Sequence, residues 1–131
     1  MKAYLQAIAS GDDDAAERLV QQLTAGDENA LIALAASDNA DERWWAVRGL
    51  AEIGALPSVP IVEARLSDPD QSIRAAAAMA IGRLAERVPL DTGAALNAVA
   101  ALLSDPDGIV RQAAADTLAQ CGDAAVPALI G

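Results

Sequence analysis

The chain has 131 residues, of which 53% are hydrophobic and only 2% aromatic, and its formal net charge is −10. This length suits one domain, and the excess of acidic residues argues against nucleic acids and anionic membranes, which bind mainly through lysine and arginine. Alanine, the strongest helix former, makes up about a quarter of the chain, whereas strand formers are few. Composition therefore predicts an all-α protein, and its acidity favours a protein partner with a neutral or basic surface.

The residue types needed for common enzyme chemistry are scarce. The sequence contains no histidine and a single cysteine, Cys121, which excludes an internal disulfide and the usual thiol–imidazole pair. No glycine-rich phosphate loop, secretory signal or long apolar run is present. We therefore predict no catalytic residues, no cofactor, no metal site and a cytoplasmic location, and we expect Cys121 to be a buried packing residue.

Residues 1–29 predict a degenerate pair of helices that caps one end of the fold. Their apolar residues recur at helical spacing: Leu5, Ile8, Leu19, Val20 and Leu23. Asp12, Asp13 and Asp14 follow Ser10 and Gly11, at a place where a helix dipole favours negative charge. Three adjacent carboxylates on a helix cannot all face one ion, so this run predicts a helix start rather than a cation site.

Three similar units follow at residues 30–54, 57–87 and 92–122, each predicted to be two helices joined by a tight turn. The turn at Leu66–Arg74 recurs at Leu103–Arg111, and a looser copy runs through Ala36–Arg43. Within these turns proline presets its own φ, and aspartate caps the free amides of the next helix. The last interval is longer because of an insertion around residues 88–93.

The helices of each unit carry apolar stripes. In the second helices the stripe residues are Ile73, Ala77, Ala80, Ile81 and Leu84, and then Val110, Ala114, Thr117, Leu118 and Cys121. In the first helices they are Val59, Val62 and Leu66, and then Leu96, Val99 and Leu103. Gly54 and Gly122 stand where a helix end favours a left-handed residue. Because one pair cannot bury its apolar face alone, we predict a single domain (1–131) of about four to five stacked pairs.

The run from Asp105 to Gly122 and the motif Ala125–Leu129 resemble HEAT repeats, in particular the short HEAT-like repeats of phycobilisome (bilin) lyases. The resemblance covers about residues 30–131 and implies an α-α superhelix whose second helices line the concave side. It also implies an alternative function, that of a bilin lyase or isomerase subunit acting on phycobiliprotein chromophores. The unit at Arg43 departs from the pattern, because its turn looks one residue short and Glu42 replaces an apolar residue.

The residues that recur most regularly around the turns are aspartate and arginine. An arginine series could bind anions, or each arginine could bond a carboxylate or carbonyl of its own or a neighbouring unit and so tie the repeats together. We predict the second role. The pairs concerned are Asp38 with Arg43, Asp68 with Arg74, and Asp105 with Arg111.

Trp44 and Trp45 are the only tryptophans in the chain. Adjacent helical residues point about 100° apart, so we expect the two rings to lie in different environments. Trp45 aligns with Ala76 and Ala113 and is predicted to pack between helices. Trp44 aligns with Ala75 and Gln112 on the outward face, where it is either a contact for a partner or a partly buried structural residue.

The same alignment defines a candidate partner-binding surface along the second helices. Its mixture of aromatic, thioether, cationic and amide groups is typical of protein interfaces, although an ordinary solvated helix face is the alternative. We therefore predict a non-enzymatic scaffold for protein–protein interaction. The unfinished unit at residues 123–131 suggests either a fragment of a longer array or an open C-terminal end that docks on a partner or on a second copy of the chain, as a homodimer. The predicted surface residues are Trp44, Arg48, Glu52, Met79, Arg83, Gln112, Asp116 and Gln120.

Overall fold

The computed structural model describes residues 1–53, 58–87 and 93–121. The predicted helix ends at Gly54 and Gly122, nearly all of the insertion and the unfinished unit at 123–131 lie outside the described residues. The described part contains α-helices, short 3-10 turns and no strand. The helices are α1 (Lys2–Ser10), α2 (Asp13–Val20), α3 (Glu28–Ala35), α4 (Ala40–Ile53), α5 (Ser58–Ala64), α6 (Gln71–Arg87), α7 (Gly93–Ala101) and α8 (Gly108–Cys121).

These helices stack as pairs in two layers. Helices α4, α6 and α8 pack side by side, with α2 against α4, while α3, α5 and α7 form the other layer. The longest of the described helices, α4, α6 and α8, all belong to the first layer. This arrangement confirms the predicted all-α solenoid.

The apolar stripes meet in one continuous core between the layers. All five stripe residues of α6 are at most 4% exposed, and Val110, Ala114, Thr117 and Leu118 of α8 are equally buried. The Thr117 hydroxyl donates a hydrogen bond of 3.0 Å to the Ala78 carbonyl. The α6 and α8 backbones approach closely there, because a Cβ at Gly82 would lie 3.1 Å from a Thr117 methyl carbon. Thr117 can therefore occupy a buried position of the apolar stripe, because its hydroxyl is hydrogen-bonded to the neighbouring helix α6.

Three apolar positions are less buried than the repeat pattern predicts. Leu103 is 39% exposed and Leu5 is 38% exposed. Cys121 packs against the core but remains partly exposed. The predicted capping pair nevertheless buries Ile8 and Val20, so its packing uses the faces of α1 and α2 that point towards α4.

The predicted helix start after Gly11 is present. The Asp12 carboxylate accepts a hydrogen bond of 3.0 Å from the Ala15 amide, and Asp13 and Asp14 occupy the first turn of α2. Gly11 ends α1 with a φ of 74°, in the left-handed region that favours glycine. The acidic run is thus explained by helix capping and the helix dipole.

The turn before α4 is not one residue short, which corrects the sequence alignment. Arg43 Nη1 donates to the carbonyls of Ser37 (3.0 Å) and Asp38 (3.1 Å), as Arg74 Nη1 donates to those of Asp68 (3.0 Å) and Pro69 (3.3 Å). Ser37 therefore occupies the position of Asp68, and Asp38 occupies that of the proline. The sequence alignment failed because it matched aspartate with aspartate, whereas a serine hydroxyl performs the same capping here.

Arg43 of α4 and Arg74 of α6 also reach the next unit. Arg43 Nε and Nη2 donate to the two carboxylate oxygens of Asp68 at 2.9 and 3.2 Å, and Arg74 bonds Asp105 in the same way at 3.0 and 3.2 Å. The Asp68 side chain is fully buried. The predicted structural role of Arg43 and Arg74 is therefore confirmed, and each guanidinium joins its own turn to the following turn.

This pairing shifts the proton affinities of the groups involved. The hydrogen bond with Asp68 raises the pKa of Arg43 above its ordinary value. The hydrogen bond from Arg74, followed by that from the Asp107 amide, holds the pKa of Asp105 below its usual value of 3.8. Bonds from the hydroxyl and amide of Ser72 similarly lower the pKa of Asp70. The folded protein thus favours the ionised form of both carboxylates.

Replacing either linking arginine is expected to lower thermal stability. Arg43→Ala and Arg74→Ala each leave a mostly buried carboxylate without its bidentate partner, and we expect a fall in melting temperature of about 5 °C or more. Arg18→Ala is the matched control, because Arg18 is exposed on α2. Circular dichroism during heating measures the effect, and an unchanged melting temperature would contradict the structural role.

The lowered pKa values also predict how stability depends on pH. A carboxylate whose pKa is lowered by folding stabilises the fold above its unfolded pKa, and this contribution is lost as the pH falls through the folded value. We therefore expect the melting temperature to fall as the pH is lowered below about 4. In Arg74→Ala the deficit relative to the wild type should shrink over the same range. A deficit that stays constant from pH 7 to pH 3 would show that Asp105 does not titrate as inferred.

Candidate functional site

A groove of about 420 Å³ runs between α4 and α6 and is closed at one end by α8. Its floor is formed by four alanines, Ala51, Ala75, Ala76 and Ala80. Alanine leaves no bulk above the helix backbone, so these positions create a depression into which a larger side chain can fit.

Three large apolar side chains stand along the groove. Trp44 comes from α4, Met79 from α6 and Ile109 from the first turn of α8. Met79 is 59% exposed and Ile109 is 72% exposed, the two highest values among the large exposed hydrophobic residues of the described chain. The groove therefore combines an apolar floor with apolar walls that water covers in the isolated protein.

Trp44 contacts the ring of Trp45, which in turn contacts the ring of Tyr4. Trp45 is buried at 6% exposure, as predicted, and its ring contacts that of Tyr4 at 6.1 Å between centroids. The Trp44 ring lies 4.6 Å from that of Trp45 at an angle of 79°, which corrects the expectation of separate environments. The side chains leave the helix in different directions, but indole rings are large enough to meet edge to face. Trp44 is consequently partly buried, with its remaining surface on the groove.

The other end of the groove carries two arginines held by glutamates. Arg48 Nη2 lies 2.6 Å from a carboxylate oxygen of Glu17, and its Nη1 lies 3.4 Å from Glu52. Arg83 Nη2 lies 3.4 Å from the same oxygen of Glu52, and its side chain is 45% exposed. This chain of ion pairs connects α2, α4 and α6 and orients both guanidinium groups at the groove.

A second groove of about 390 Å³ lies between α6 and α8 and shares Met79 and Arg83 with the first. Its lining is more polar. The Gln112 amide donates to Asp116 at 2.8 Å, and the Gln120 amide donates to Glu86 at 2.7 Å. The two grooves form one surface, which we call the second-helix face, with Met79 and Arg83 on the ridge between them.

The structure brings most of the predicted surface residues together. Trp44, Arg48, Met79 and Arg83 line the first groove, while Asp116 and Gln120 line the second. Glu52 orients the arginines from outside the lining, and Gln112 lies beside the second groove through its bond to Asp116. Their role in binding stays a prediction.

Several residues of this surface were missed by the sequence alignment. Ile109, Ser72, Glu17 and Glu86 belong to it through the groove lining or the polar contacts. Ile109 could have been recognised, because it is an isoleucine next to Val110 and outside the apolar stripe. Glu17 could not, because its contact with Arg48 depends on how α2 packs against α4.

Other kinds of site have little support in the described ranges. Within residues 1–53, 58–87 and 93–121, no group of three or more acidic or cysteine side chains is placed to hold a metal ion. Burial, followed by the nearby Glu86, raises the pKa of the Cys121 thiol, which makes its reactive thiolate less abundant. No helix in the same ranges is both long and apolar enough to cross a bilayer.

Stacked helix pairs, paired arginines and a continuous second-helix face define an α-helical repeat protein. Residues 28–92 match the family model described as HEAT repeats, and residues 95–125 match the model described as HEAT repeat. These matches cover most of the chain, which therefore belongs to the HEAT-repeat proteins. The finer resemblance to bilin lyases stays a prediction. A comparison with curated proteins gives no match.

Removing one hydroxyl is expected to loosen the aromatic cluster behind the groove. The buried Tyr4 hydroxyl donates a hydrogen bond of 2.6 Å to the Trp45 carbonyl, and burial raises its pKa. Tyr4→Phe should destabilise the protein by about 1 kcal/mol, and Tyr4→Ala should cost more because it also removes the ring. Thermal unfolding followed by tryptophan fluorescence measures both, and equal stabilities of all three proteins would contradict the contact.

Proposed function

We propose that this protein is a non-enzymatic interaction scaffold that binds a protein partner through its second-helix face. The observation that carries the proposal is the exposure of Met79 and Ile109 beside Trp44, over a floor of alanines. Covering such a surface removes apolar area from water, which is the main driving force of most protein association.

The lining of the groove between α4 and α6 supports binding rather than chemistry. Its polar side chains are Arg48, Arg83 and Ser72, and the Ser72 hydroxyl is already bonded to Asp70 at 2.6 Å. This set contains no general base beside a nucleophile, which is the arrangement that covalent catalysis requires. Tryptophan and arginine, by contrast, are enriched among the residues that dominate binding energy at protein interfaces.

The surface is also organised by contacts within the protein before any partner arrives. Trp44 contacts Trp45, which in turn contacts Tyr4, and Arg48 is paired with Glu17 and Glu52. Less side-chain freedom is then lost on association, so more of the contact energy is available as affinity. Pairing across the repeats thus serves the proposed function indirectly, by keeping α4 and α6 in a fixed relation.

The double variant Trp44→Ala with Arg48→Glu is expected to abolish partner binding while leaving helicity unchanged. It removes an apolar wall of the groove and reverses the charge at its end. The measurement is affinity capture from a lysate of the source organism, with bound proteins identified by mass spectrometry. Circular dichroism checks the fold of each bait.

Arg18→Glu is the matched control, because it makes the same charge change as Arg48→Glu on an exposed part of α2 outside the groove. A protein retained by the wild type and by Arg18→Glu but lost from the double variant would support the proposal. Retention by all three baits would refute the assignment of binding to this face.

A further inference from the structure

The charges around the groove between α4 and α6 differ from those of the chain as a whole. The protein has a formal net charge of −10, yet every charged residue in the lining of this groove is an arginine. They are Arg48 and Arg83, and both stand at the end opposite Ile109. A partner that fills the apolar part of the groove therefore meets cationic groups at one end.

Arg83 keeps the capacity to bind a further carboxylate, whereas Arg48 is already paired with both Glu17 and Glu52. Glu52 lies 3.4 Å from each guanidinium, which is a long contact, and Arg83 remains 45% exposed. An arginine presents five N–H donors in a planar fork, and the contact of Arg83 with Glu52 involves Nη2. The glutamates thus position both arginines while leaving donors of Arg83 accessible from the groove.

The backbone chemistry of the groove favours a helical partner segment over an extended one. Its walls are helices, whose internal amides and carbonyls bond within the helix, and its floor is alanine. An extended peptide lying here would leave its own N–H and C=O groups unpaired against an apolar wall, which is costly. A helix satisfies these groups internally and can present an apolar stripe to the floor.

The length of the groove fits such a stripe. The wall contributed by α6 runs from Ser72 to Arg83, about 16 Å at 1.5 Å per residue. Apolar anchors at positions i, i+3, i+4 and i+7 of a partner helix span about 10 Å. They fit between Ile109 and Met79, with roughly one further turn of helix beside the arginines.

We propose that the groove between α4 and α6 binds an amphipathic helix of the partner protein, whose apolar stripe lies over the alanine floor and whose carboxylate binds Arg83, beside Arg48. This inference rests on the proposed function and names the chemistry of the partner. The acidity of the whole chain favours a neutral or basic partner, and the groove adds a local requirement for an acidic residue at one end of the helix.

The test uses three synthetic helices of about 18 residues. The first has leucines at i, i+3, i+4 and i+7 and glutamates in the next turn, the second has lysines in place of these glutamates, and the third has the same composition with its leucines scattered around the helix. Binding is titrated at about 0.15 M salt, where distant charges are screened, by calorimetry and by tryptophan fluorescence. The proteins are the wild type, Arg83→Glu and the control Arg18→Glu.

We expect the glutamate helix to bind the wild type at least about fivefold more tightly than the lysine helix, and the scattered helix not to bind. Arg83→Glu should abolish or reverse this preference, while Arg18→Glu should keep it. Equal binding of the two charged helices would refute the carboxylate requirement. Binding of neither helix would refute the helical partner.

The failure of this inference is distinguishable from the failure of the proposed function. If no helix binds but the cellular partner is still lost from Trp44→Ala with Arg48→Glu, the proposal of a helical partner segment is wrong. The proposal that the second-helix face binds the partner is then still supported. If the partner is retained by that double variant, both proposals are wrong.

Discussion

The bidentate pairing of an arginine in one unit with an aspartate in the next is the constraint on which the rest of the structure depends. Arg43 joins its own turn to Asp68, and Arg74 joins its own turn to Asp105. Removing charges from water is costly unless their hydrogen bonds are satisfied, and here the guanidinium and carboxylate satisfy each other with good geometry. Apolar stripes alone would allow neighbouring helices to shift along their axes, whereas these bonds fix the position of each turn relative to the next turn.

The second-helix face is a consequence of this fixed position of the units relative to one another. With α4, α6 and α8 in register, alanines of successive helices align as a floor, and the large residues Trp44, Met79 and Ile109 rise around it. The residues common to all units build the solenoid, and the residues that differ from unit to unit give the surface its chemistry. The groove owes its apolar walls to a tryptophan in one unit, a methionine in the next and an isoleucine in the last.

Local features were predictable from sequence, and features that depend on packing between units were not. The apolar stripe of α6 and the Asp12 cap follow from periodicity and from the chemistry of helix ends. The carboxylate chosen by each arginine did not follow, because sequence spacing fits an aspartate of the same turn as well as one of the next. The contact between Trp44 and Trp45 was missed because the direction in which a side chain leaves the helix does not determine where a large indole ring lies. The register of the Ser37 turn was missed because hydroxyl and carboxylate caps look unlike in sequence.

The pairing between units has a direction. Arg43 and Arg74 each reach towards the following turn, so one side of such a unit presents a guanidinium and the other presents a carboxylate. The guanidinium side of one unit therefore complements the carboxylate side of another in a head-to-tail arrangement. The two ends of the repeat array therefore differ from each other. A unit added by gene duplication or by design can form the same arginine–aspartate pair in only one orientation.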